Sequence, residues 1–66
     1  MRFQVGDRVR AIRNIQGFEI NSLTGIVVAK SQYSIDVVGV VFDSYVLGAH
    51  NLNGRCESGY GLWVMG

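Results

Sequence analysis

The chain has 66 residues, with six basic and five acidic side chains, a net charge of +1, 48% hydrophobic content, one cysteine and no proline. This is one domain, too poor in Cys and His for an internal disulfide or a four-ligand zinc within one chain, and too nearly neutral for a general nucleic-acid or anionic-membrane footprint. A chain so short buries only about 60% of the surface its unfolded form exposes, so self-association is the expected source of added stability.

The opening, MRFQVGDRVR, mixes charge with isolated apolar positions, and no run approaches the roughly 20 apolar residues of a membrane span. A cytoplasmic protein without a signal peptide is expected. Helical periodicity is absent. Short β-branched runs punctuated by Gly, Asn, Asp and Ser predict an all-β fold.

The first predicted strand covers residues 8–13, with Val9 and Ala11 facing inward and Arg8 and Arg10 facing water. Residues 14–23 form a loop with Phe18, Ile20 and Leu23 tucked beneath it. Thr24-Gly25 reads as a turn, residues 26–29 as the second strand, residues 30–34 as a hairpin and residues 35–42 as the third and longest strand. That strand is apolar on both sides: Ile35, Val37 and Val41 share one face, Val38, Val40 and Phe42 the other. Both faces therefore need cover, and the 14–23 loop or a second subunit is expected to supply the second one. Gly39, in its middle, predicts a bend or bulge. Asp43-Ser44 opens a turn, residues 45–47 suggest a short fourth strand and residues 62–64 a fifth, where Trp63 would plug the barrel mouth.

Residues 48–64 gather the only His (His50), the only Cys (Cys56), the only Trp (Trp63) and four of the nine glycines. His50 and Cys56 supply at most half of a tetrahedral metal site, which a symmetric dimer would have to complete, so no metal or cofactor is expected within one chain. The same pair is the sole candidate for nucleophilic catalysis, with only Asn51, Asn53 and Glu57 nearby to orient it, so no catalytic residue is assigned. The spacing of Gly54, Gly59 and Gly61 superficially suggests a phosphate loop. It lacks Gly-Lys-Ser/Thr and a following helix, which leaves turn geometry as the reading. Amides of such a loop can still hold an anion beside Arg55, with an aromatic face from Tyr60 or Trp63. His50, Asn53, Arg55, Tyr60 and Trp63 are accordingly the expected ligand or partner contacts. An alternative nucleic-acid face consists of Arg8, Arg10 and Arg13, with Phe18, Tyr33 and Tyr45 available to stack bases.

VGDRVR followed by TGIVV resembles the start of the KOW and SH3-like small barrels. The later VGVVFD, His50-x-Leu52-x-Gly54-x-Cys56 and Gly59-x-Gly61-x-Trp63-Val64 are similar to a family of small phage and prophage proteins of Gram-positive bacteria. Tyr60 stands where that family would carry a second histidine, and Leu62-Trp63 where it would carry two tryptophans. That family usually continues past Trp-Val into another short turn and strand, and the lack of that closing strand here is expected to leave an open sheet edge, which favours pairing with another subunit. The resemblance implies one SH3-like, partly open β-barrel of about five short strands over residues 1–66. It implies a non-enzymatic, homo-oligomeric binding module acting on a host protein or defence system, by inhibition or by sequestering a signalling nucleotide. The alternative it implies is a KOW-like nucleic-acid binder.

Overall fold

β-branched stretches become the strands. In the computed structural model, which describes residues 3–15, 17–32 and 36–65, these are β1 (Arg8–Arg10), β2 (Thr24–Lys30), β3 (Val37–Phe42) and β4 (Gly61–Met65). They form one antiparallel sheet in the order β1-β2-β3-β4. Tyr33, Ser34 and Ile35, from the predicted hairpin and third strand, lie outside the described residues.

Several predicted boundaries need correction: Lys30 extends β2, β3 begins at Val37 and β4 runs from Gly61 to Met65. β1 stops at Arg10, where regular pairing ends: Ala11 bonds two successive residues of the facing segment, its N–H donating to Leu23 O at 2.9 Å and its carbonyl accepting from Ser22 N–H at 2.8 Å. Thr24 and Gly25 belong to β2, opposite Arg10 and Val9. Residues 45–47 are not a strand: Val46 N–H reaches Gly59 O at 2.7 Å, but Ala49 N–H then turns back to Val46 O at 3.1 Å, so no ladder propagates. Among the described residues the sheet thus has four strands where five were expected.

Alternation along the strands separates two packed faces. On the first, Val27, Val38, Val40, Phe42 and Leu62 join Ile20, Val46 and Ala49 in the main core. Each large apolar side chain buried there contributes about 1.5–3 kcal/mol. Ile20 comes from the 14–23 loop, and the Asn14 side chain fixes that loop by accepting from the backbone N–H of Ile20 at 2.9 Å and of Asn21 at 2.8 Å. Phe18 and Leu23 pack partly buried beside it, as the sequence predicts.

On the second face, strand register aligns Ala29, Gly39 and Trp63 in one row across three strands. Leu52, fully buried at 0% exposure, closes over this row. A Cβ on Gly39 would stand 3.3 Å from Leu52 Cδ1 and 3.1 Å from Trp63 Cζ3. Gly39 is therefore a low floor that admits two larger side chains. Leu52, from the loop before β4, supplies cover that the sequence assigned to residues 14–23 or to another subunit.

Gly39 is also not the site of irregularity. The register shifts on the neighbouring strand, between Val27 and Ala29, leaving Val28 as the extra residue of a bulge. Near the other end of the sheet, Asp43 ties β1 and β2 to the turn after β3. Its Oδ2 accepts from Thr24 Oγ1 at 2.7 Å and from Arg8 Nη2 at 3.0 Å. No helix among the described residues is long and apolar enough to cross a membrane.

Candidate binding groove

The loop before β4 is built around one carbonyl. The N–H groups of Gly54, Arg55 and Cys56 converge on Asn51 O at 3.1, 2.9 and 3.2 Å. This tight turn forces Leu52 and Asn53 to positive φ, at 51° and 61°. Left-handed backbone costs roughly 1–2 kcal/mol per L-residue, less for Asn. Burial of the Leu52 side chain on the floor of Gly39 and Gly61 offsets that cost, since its Cγ sits only 2.6 Å from where a Gly61 Cβ would be. The strain has a positional result: the residue after the buried leucine, Asn53, is carried outward, and Arg55 folds back so that its Nη1 donates to Leu52 O at 2.8 Å.

Between this loop and the β2–β3 end lies a groove of about 350 Å³, to which Asn53, Arg55 and Trp63 contribute from one side and Lys30, Gln32 and Val37 from the other. Trp63 is half-buried, its six-membered ring over Gly39. Among the described residues, no carboxylate lines the groove. The contact that anchors Arg55 is a neutral carbonyl, which leaves the guanidinium charge uncancelled by it; Lys30 Nζ likewise contacts a neutral group, Gln4 Oε1 at 3.1 Å. The ion pair found among the described residues, Arg8–Asp43, lies elsewhere.

Of the residues expected from sequence to make contacts, Asn53, Arg55 and Trp63 come together here. His50 and Tyr60 do not line the groove. His50 joins the loop to β4 through its backbone, accepting from Gly61 N–H at 2.8 Å and donating to Gly61 O at 3.0 Å. Tyr60 is half-buried, and its ring meets Tyr45 edge-on, with centroids 5.9 Å apart and planes at 80°. Trp63 lies along the second sheet face, where a barrel plug was expected.

Lys30, Gln32 and Val37 escaped the sequence reading because their proximity to residues 53–63 depends on register. The available signal was the pair Gly39 and Trp63, which a β3–β4 antiparallel pairing sets side by side.

Cys56 is poorly suited to nucleophilic work. Burial, followed by the charge of Glu57, pushes its thiol pKa up, and its Sγ points toward the His50 carbonyl at 3.9 Å. Among the described residues, no three His, Cys, Asp or Glu side chains gather as a metal site would require.

The alternative face is less assembled. Arg8, Arg10 and Arg13 are all exposed. Arg8 is engaged by Asp43, whose pKa is held below the usual aspartate value by the Thr24 hydrogen bond first and the Arg8 bond second. Phe18 packs against the core and Tyr33 lies outside the described residues. A more open bay of about 480 Å³ lies in the 14–23 loop, between Asn14 and Glu19. The Asn14 oxygen is already committed to the loop backbone there, and Glu19 is the bay's charged group.

The family model described as the Xrn1 SH3-like domain matches residues 1–65. No curated protein and no solved structure matches the chain at a significant level.

Proposed function

We propose a function from one premise: this chain belongs to the Xrn1 SH3-like domain family. It is a non-enzymatic binding module whose contact surface is the groove between the 51–58 loop and the β2–β3 end. The observation that carries this reading is the convergence of Asn53, Arg55 and Trp63 with Lys30 and Gln32 around one groove whose described lining holds no acid. Strain at Leu52 and Asn53 supports it, because backbone held in sparsely populated conformations concentrates where a side chain must be presented. The raised thiol pKa of Cys56 supports a binding role over a catalytic one.

In this reading the sheet curls into a partly open SH3-like barrel, with the bulge at Val28 as the bend. Self-association in the cytoplasm belongs to the same proposal, supported by Ile12 and Leu47, which are 82% and 80% exposed. A phage origin and a host target draw on the resemblance of residues 38–64 alone; a host signalling nucleotide would then be the groove's occupant.

Affinity capture from cell lysate, with the wild-type chain and with Asn53→Ala and Arg55→Ala, tests the proposal. Both residues are exposed, so Arg55→Ala should leave the thermal melt nearly unchanged and Asn53→Ala should lower it only by the extra cost of alanine at positive φ, while capture falls with both. Undiminished capture would place the functional face elsewhere, with the Arg8, Arg10 and Arg13 surface the next to examine.

A further inference from the structure

We propose that the groove is a nucleotide site, in which a base stacks on Trp63 and its phosphate is held by Arg55 and Lys30. This rests on the groove being the binding surface and assigns the chemical class of its ligand.

Four features point the same way. The Trp63 ring lies over Gly39, and its half-buried state leaves part of the ring in the groove as a platform. Aromatic platforms hold any base through its π-face. Asn53 and Gln32, both exposed, stand in the lining, and a carboxamide offers a donor and an acceptor together, as the edge of a base requires. Arg55 and Lys30 add positive charge with no carboxylate among the described lining residues, and a guanidinium suits bidentate contact with phosphate. Finally, the cavity of about 350 Å³ falls at the lower end of the ~300–1,000 Å³ range of small-molecule sites, a size for one nucleotide unit. An acidic peptide would satisfy the cations but would leave the aromatic platform and both carboxamides without a role. The nucleotide unit has two sources, a free nucleotide or one residue of a single strand, and they share this chemistry.

Trp63 is the only tryptophan, so its emission reports on the site directly. The full chain is titrated with the four ribonucleoside monophosphates, with the corresponding nucleosides, with inorganic phosphate and with hexanucleotides. Saturable quenching by at least one monophosphate or hexanucleotide is expected, with its nucleoside at least about tenfold weaker, the scale of one charge-assisted contact. Arg55→Ala should weaken the nucleotide about tenfold. Trp63→Leu, followed by calorimetry, should weaken it roughly ten- to hundredfold, the scale of lost base stacking. Tighter binding of the monophosphate assigns a free nucleotide, and tighter binding of the hexanucleotide a strand. The proposal is overturned if no nucleotide or hexanucleotide saturates the signal up to about 1 mM, or if Arg55→Ala leaves binding unchanged. Should nucleotides fail while a lysate protein is captured in an Arg55-dependent manner, the groove remains the binding surface and only the ligand class falls. Failure of both removes the groove as well.

Discussion

On one face of β3, Val38, Val40 and Phe42 enter a cluster to which all four strands and the 14–23 loop contribute. On the other, Gly39 meets Trp63 and one leucine from one loop. The first face is redundant, with many side chains sharing the burial. The second depends on Leu52. Redundancy suits a core, whereas a surface held by one anchor leaves its neighbours free to serve as contacts, and Asn53 and Arg55 are those neighbours.

Substitutions that separate the faces follow from this contrast. Phe42→Ala should be the most damaging, at about 3–5 kcal/mol for a buried aromatic. A 66-residue chain at typical per-residue values has only about 3–10 kcal/mol in total, so denaturant melts should show a largely unfolded population. Leu52→Ala should cost about 2–4 kcal/mol and act on both global stability and the groove. Hydrogen exchange should show the Asn51-bonded amides of Gly54, Arg55 and Cys56 losing protection before the β2–β3 ladder does. Simultaneous loss would mean that the two faces unfold as one unit.

Gly39→Val should cost about 1–3 kcal/mol by overpacking and push the Trp63 ring outward, shifting its emission to longer wavelength. An unshifted spectrum would show that the ring does not depend on that floor.

Asp43 tests the periphery of both faces. Its folded pKa lies below the unfolded value, so its stabilising contribution is present above about pH 4 and is lost as pH falls through the folded pKa. Asp43→Asn should flatten the fall in melting temperature of the wild type on acidification below about pH 4. Unchanged acid sensitivity would assign that limb to other carboxylates. Smallest of all in stability terms, Arg55→Ala should change the melt by no more than about 0.5 kcal/mol while it weakens ligand binding.

How much of this was legible in the sequence differs between the faces as well. Alternation around Val38, Val40 and Phe42 identified the core side of β3 directly, and the two-sided apolar pattern showed that something must cover the other. What covers it could not be read, because Leu52 reaches Gly39 only through a left-handed pair of residues that propensity does not announce in a Leu. Asn53, Arg55 and Trp63, which the structure places along one groove, could be grouped from the sequence because uncommon polar and aromatic residues crowd among glycines. His50 was grouped with them for the same reason, yet its backbone is what the fold uses. Lys30 and Gln32 were invisible because their nearness to Trp63 depends on pairing across three strands and on the shift at Val28.

That shift also bears on how the chain tolerates changes in length. Beyond it Ala29 pairs with Gly39 and before it Val27 pairs with Val40, so consecutive positions of β3 face residues two apart on β2. Removing Val28 would join these pairs into an uninterrupted ladder without turning any neighbour through the sheet. A one-residue deletion inside β3 or β4 would exchange the faces of every side chain on one side of the cut. Val28 is thus the position at which the sheet can shorten and keep both its interior and its groove, giving up only the bulge.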